Sequence, residues 1–325
     1  MAQGTIEVDP AVLKDEDKDD YLSTGYNTST ASLSESLNQY MFENGRRYHS
    51  YFGCDKNPHP TDEMEQDRLD LHHEIFYLLY GRKLHFAPIE DPHRILDVGT
   101  GTGIWAIDMA DQYPMAEVIG VDLSPIQPAW VPPNCKFEVD DVELEWTYQS
   151  DFFDFVHIRN LGQALTSYPR LVQQIYRCVK PGGFIEISEV EMELRSDNGT
   201  LSKAKGLTEY MVHLRQAMEK LGRPQPCAGM RENILNAGFI DMVETTVKQP
   251  LGPWAKDPDI KKAGAMALLG GESGYHAYAM QMFTRVLGMS AEEADKMCTN
   301  AFKSVCNKNV HVYSNQFVAY ARKPE

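Results

Sequence analysis

The run Ile95-Leu96-Asp97-Val98-Gly99-Thr100-Gly101-Thr102-Gly103-Ile104-Trp105 reads as a strand ending in an acid, then a glycine-rich turn that opens a helix. Glycines let a chain turn sharply and leave no Cβ between the backbone and a ligand. At the carboxyl end of a parallel strand, such a turn begins a nucleotide-type pocket. A dinucleotide fingerprint, Gly-x-Gly-x-x-Gly, would need its third glycine at 104, where this chain has Ile104; the third glycine is Gly103 instead. About 20 residues on, Val118-Ile119-Gly120-Val121-Asp122 supplies a carboxylate able to accept both hydroxyls of a ribose. A third acidic strand end follows in Phe137-Glu138-Val139-Asp140-Asp141-Val142.

These groups need a sheet to hold them. After Pro92 short apolar runs alternate with amphipathic ones, which implies βαβ units and a doubly wound α/β fold. Strands are expected at Arg94–Val98, Glu117–Asp122, Cys135–Val139, Phe153–His157 and Phe184–Ser188, with helices notably at Ile104–Gln112 and Arg170–Val179. Lys180-Pro181-Gly182-Gly183 is a turn signal before the fifth strand. A sixth strand is expected at Met242–Val247 and a seventh at Val312–Ala321. The helical stretches 201–222 and 258–305 are too long for ordinary connections, and are read as insertions over the sheet's ligand edge.

Ahead of this domain (93–325), residues 21–92 are expected to form a helical extension that acts as a lid. One short helix would be capped by Ser34 and ended by Gly45, and a second would run from Thr61 to Leu79. Residues 1–20, acidic and poor in aromatics, read as a mobile tail.

A net charge of −16 over 325 residues argues against nucleic acid or an anionic membrane as partner. The six cysteines contain no Cys-x-x-Cys pair, and no metal site is expected. With no secretory signal and no apolar run of roughly 18–20 residues, the expected location is cytoplasmic, with the nucleus also open.

The Asp-x-Gly-x-Gly-x-Gly spacing, Asp122, Asp141-Val142, Arg159-Asn160 and Lys180-Pro181-Gly182-Gly183 follow in the order found in class I methyltransferases, which the chain resembles. That resemblance implies a seven-stranded Rossmann-like sheet whose last strand is antiparallel, and S-adenosyl-L-methionine as cofactor. It implies cofactor contacts at Asp97, Gly99, Thr100, Gly101, Asp122, Leu123, Asp141, Val142 and Arg159. Asp97 would meet the methionine ammonium, Asp122 the ribose and Asp141 the adenine amine.

A narrower resemblance rests on Glu43-Asn44-Gly45-Arg46-Arg47-Tyr48-His49, Glu65-Gln66-Asp67-Arg68-Leu69-Asp70-Leu71-His72-His73, Leu123-Ser124-Pro125-Ile126-Gln127-Pro128-Ala129-Trp130-Val131-Pro132-Pro133-Asn134 and Phe283-Thr284-Arg285-Val286-Leu287-Gly288. These runs are similar to the fungal LaeA-like, velvet-associated methyltransferases. The resemblance implies either methylation of a small secondary metabolite or a regulatory role with a velvet-type protein partner. It leaves the acceptor and the oligomeric state open.

The amide-and-aromatic motif of enzymes that methylate base or glutamine nitrogens is missing after the fourth strand, where Arg159-Asn160-Leu161-Gly162 stands, which speaks against DNA or glutamine methylation. The cofactor constellation and the Met- and aromatic-rich insertions make O-methylation of a small metabolite the leading expectation. Candidate bases are His276, His72 and His49, with His73 and His157 as further histidines, because imidazole titrates near neutrality. Tyr40 and Arg47 or Tyr48 are expected to close over the methionine end. Met266, Met280, Met282, Phe283, Tyr275 and Tyr278 are expected to line an adaptable apolar acceptor pocket. Residues 258–285 and Glu43–Tyr51 would together cover it.

Overall fold

Asn44 and Gly45 both hold positive φ, 48° and 75°. Two such residues in succession make the tight turn that matches strand twist. Tyr40–Glu43 (β1) and Arg46–His49 (β2) accordingly pair as an antiparallel hairpin. The helix expected to end at Gly45 is absent over its described part. The computed structural model describes residues 40–325 other than 51, 54, 55, 224 and 226. The start of that helix and the acidic tail lie outside the described residues.

The hairpin is tied to the helix that follows. Asp62 caps Glu63–Leu79 (α1) by accepting from the Glu65 amide, while Arg46 grips the same carboxylate through two N–H bonds of 2.7 and 2.8 Å.

Arg94–Val98 (β3) leads into Ile104–Gln112 (α2), Glu117–Asp122 (β4) and Cys135–Val139 (β5). Phe153–Arg159 (β6), Tyr168–Cys178 (α3) and Val179–Val190 (β7) come next. Ile95, Leu96 and Val98 are wholly buried, as a strand covered on both faces requires. β7 already includes Lys180-Pro181-Gly182-Gly183, and its register against β6 shifts between Phe153 and Phe155. The expected turn is thus an irregular stretch of strand.

Lys205–Lys220 (α4) and Met230–Ala237 (α5) precede Ile240–Pro250 (β8). Pro258–Gln281 (α6) continues through a π-helical turn, Met282–Val286, before Ala291–Cys306 (α7) and Tyr313–Arg322 (β9). The seven strands of the main sheet lie in the order β5-β4-β3-β6-β7-β9-β8. Pairing is parallel from β5 through β7, and β9 is antiparallel to both of its neighbours. The doubly wound sheet with its last strand reversed is the architecture expected. Among the described residues no helix is long and apolar enough to cross a membrane.

The inserted helices have a core of their own. Tyr210 and Leu214 of α4 meet Met280, Met282, Phe283 and Cys298 in one buried cluster. Met280, Met282 and Phe283 are therefore core residues and line no acceptor pocket, which corrects the expectation. α6 lies close against α1 because it presents glycine there. A Cβ on Gly270 would stand 3.2 Å from Leu71, and one on Gly274 would stand 3.3 Å from Arg68.

Candidate functional site

The turn after β3 is closed by hydrogen bonds to β4. Gly99 and Thr100 both donate their amides to the Val121 carbonyl, at 2.9 and 3.0 Å. Gly101 N–H donates to one Asp122 oxygen at 2.8 Å and Ser124 N–H to the other at 2.9 Å. The glycines at 99, 101 and 103 all have positive φ but serve different ends. A Cβ at 99 would collide with Leu161 at 2.6 Å, and one at 103 with Phe137 at 2.2 Å. At Gly101 a Cβ would meet only Leu69, at 3.5 Å. Gly101 is thus the place where the backbone is bared to a ligand.

Asp97 is the penultimate residue of β3, beneath this turn. It accepts from Thr100 Oγ1 at 2.7 Å and from His157 Nδ1 at 2.8 Å, and the His157 ring stacks on Trp105 with centroids 3.8 Å apart. Burial lowers the pKa of His157, against the pull of Asp97. That makes His157 a neutral support for Asp97.

One cleft, about 1300 Å³ counting its mouth, opens over this cradle. Asp97, Gly99, Thr100, Gly101, Asp122, Leu123, Asp141, Val142 and Arg159 all line it, and so does the candidate base His72. Nine positions picked as cofactor contacts are therefore gathered in one place.

Tyr40, Arg47, His49 and His276 are not among the lining residues. Arg47 donates to the Thr61 carbonyl, pairs with Glu63 and lies 5.1 Å from the Tyr40 ring. His49 and Tyr48 are buried in the hairpin, with the His49 ring between Tyr40 and Phe52. His276 bonds Asp295 of α7 at 3.0 Å. Two residues apart on a helix point about 200° apart, so Tyr278 faces the cleft and His276 cannot.

The residues that do cover the cleft belong to a strap the sequence reading missed. Lys56, Asn57, His59, Pro60 and Thr61 line it. Lys56 Nζ lies 2.8 Å from Asp141 Oδ2, and His59 Nε2 lies 3.1 Å from the Gln163 amide oxygen. An irregular segment leaves no periodic signal, although Asn57-Pro58 and His59-Pro60 mark it as extended.

Charge in the cleft is arranged in opposition. Arg159 donates to His73 Nδ1 at 3.0 Å, which leaves His73 Nε2 to donate to Asp108 at 2.8 Å. Among the described residues no carboxylate is recorded within ion-pair distance of Arg159. Burial lowers its pKa, but a guanidinium stays charged. Burial also pushes Asp122 up to about 6, against the Ser124 and Gly101 amides that favour its ionised form. A zwitterion with a nucleoside tail would find a cation at one place, carboxylates at others, and bare backbone between. These residues fit such a cofactor.

A family model described as a methyltransferase domain matches residues 71–224. The chain is 37% identical over 300 residues to methyltransferase pytC of Aspergillus terreus, covering 91% of this chain and 92% of that one. It is 39% identical over 306 residues to the secondary metabolism regulator LAE1 of Cochliobolus heterostrophus, covering 92% and 99%. Among solved structures, Haemonchus contortus phosphoethanolamine N-methyltransferase 2 in complex with S-adenosyl-L-methionine matches with a TM-score of 0.45 and 22% identity, over 78% of this chain and 52% of that one. The chain belongs to the S-adenosylmethionine-dependent methyltransferase family that includes pytC and the LAE1-type regulators.

Proposed function

We propose that this protein methylates an oxygen of a small secondary metabolite. The observation that carries the reading is His72, an imidazole at the cleft whose pKa burial and the nearby Arg68 and Arg159 charges hold well below the usual 6.5. It is neutral at physiological pH, so a ring nitrogen can accept the proton of an acceptor hydroxyl; its low pKa makes it a weak base, which suffices because that hydroxyl becomes strongly acidic as the methyl group bonds to its oxygen. Bound S-adenosylmethionine supplies a methyl group already activated on a sulfonium, so the chain's part is alignment, exclusion of water and removal of one proton. In this reading Arg159 holds the methionine carboxylate and Asp97 the ammonium. Asp122 takes the ribose hydroxyls, and Asp141 takes the adenine amine once Lys56 yields it. We place the reaction inside the cell, in cytoplasm or nucleus.

His72→Gln is expected to lower kcat by about 10²–10⁴-fold and leave S-adenosylhomocysteine affinity unchanged; equal turnover by the variant would remove His72 from the chemistry. Labelled S-adenosylmethionine incubated with extract of the source organism is expected to mark a small molecule.

Label found only in protein would instead favour the second reading, a regulator working through velvet-type partners, which the similarity to LAE1 supports. A pull-down with such proteins tests that directly.

Affinity should also depend on pH. The ribose-binding form of Asp122 is the ionised one, and its unliganded pKa is about 6. S-adenosylhomocysteine affinity is therefore expected to be level above pH 7 and to fall by about tenfold per pH unit well below 6. Calorimetry between pH 5 and 8 reads this, and Asp122→Asn should flatten the profile. A wild-type profile flat from 5 to 8, together with unchanged affinity in Asp122→Asn, would remove Asp122 from the contact.

A further inference from the structure

A second hollow, about 550 Å³ counting its mouth, lies between α1 and α6 and shares Arg68, His72 and Tyr278 with the main cleft. We infer that this groove binds the methyl acceptor, a neutral and largely apolar molecule whose hydroxyl points inward to His72. The inference rests on the methyltransferase reading above and names the class of its substrate.

Three observations carry it. The groove's outer walls are Leu71 and Ile75 on α1, Leu251 after β8, and Met266 and Ala267 on α6. No Asp, Glu or Lys lines it, and its one charged side chain is already neutralised: Arg68 is bound through two N–H groups to Glu65, at 2.7 and 2.9 Å. An ionic acceptor would be desolvated there without a counter-charge, which is costly. A neutral apolar one would not.

The polar groups are gathered where the two hollows meet. Gln249, 6% exposed, points its amide nitrogen at His72 Nε2 across 3.4 Å, and the Tyr278 hydroxyl accepts from Arg68 at 3.2 Å. Apolar walls with a few convergent polar groups at one end describe an oriented small-molecule site.

2-Naphthol, a neutral planar compound bearing one hydroxyl, is the probe, titrated by its own fluorescence into protein saturated with S-adenosylhomocysteine. The wild type is expected to bind it. Ala267→Phe and Leu71→Trp, which fill the groove from facing walls, are expected to weaken 2-naphthol by about tenfold or more while S-adenosylhomocysteine binds them as it binds wild type. That retained binding also shows that each variant is folded. If either folded variant binds 2-naphthol as wild type does, or if the wild type binds S-adenosylhomocysteine but not 2-naphthol, the groove is not the acceptor site. Failure of the wild type to bind S-adenosylhomocysteine at all would instead remove the methyltransferase reading beneath it.

Discussion

Gly101→Val is expected to abolish S-adenosylhomocysteine binding while the protein stays folded. The residue has φ +59°, and its added side chain would touch only Leu69 before entering the cleft. The left-handed backbone costs a β-branched residue roughly 1–3 kcal/mol, which should lower Tm by several degrees. The loss of binding has a different cause, because the isopropyl group would occupy space the ligand needs. Calorimetry and a thermal melt on the same sample separate the two effects. Gly103→Ala should behave in the opposite way and damage the fold first, since its Cβ would stand 2.2 Å from Phe137. A folded Gly101→Val protein that binds normally would mean the pocket lies elsewhere.

The largest effect on stability is expected from Glu65→Ala. Glu65 is 1% exposed and Arg68 8%, and they face each other through two hydrogen bonds. Removing the acid leaves a guanidinium buried without its carboxylate, at a cost of about 3–5 kcal/mol. A melt should move down by roughly 6–20 °C. The double variant Glu65→Leu with Arg68→Met removes both charges and is expected to recover most of that loss. If the single variant melts within about 2 °C of wild type, the pair is better solvated than its burial indicates.

The cofactor half of the cleft could be read from residues because its logic is local. A strand, a glycine turn and the tip of the next strand lie within 29 residues, 94 to 122, and parallel pairing brings them together. The inner strands were legible for a similar reason, since strands covered on both faces leave apolar runs; β8, mostly exposed at the sheet's edge, was marked by its β-branched residues, Val243, Thr245, Thr246 and Val247. The acceptor half depends on contacts far apart in sequence. Arg68 meets Tyr278 across 210 positions, and His59 meets Gln163 across 104. No periodicity announces such meetings.

Composition also misled. Methionines and aromatics of 258–305 suggested a pocket, but most of them bury against α4 and α7, because inserted helices need a core before they can cover anything. The hairpin at 40–49 was misread for a simpler reason. Asn44-Gly45 is a strong two-residue turn signal, but Ser34 and Gly45 equally satisfy the residue preferences of helix caps.

The reversed strand β9 has a consequence for the life of the chain before it is folded. β7 and β8 do not pair with each other; β9, inserted between them, completes β7 and is the one strand that pairs with β8. Sixty-two residues separate the end of β8 at 250 from the start of β9 at 313. At roughly 5–20 residues per second of synthesis, β8 waits about 3–12 s on the ribosome for its partner. Throughout that interval three strand edges are open, one on β7 and both on β8, and β8 carries Ile240 and Val243, which stay partly exposed even in the finished sheet. Unpaired edges of this kind recruit other chains. Yield in a heterologous host should therefore depend on chaperone supply and growth temperature more than the stability of the finished protein would suggest.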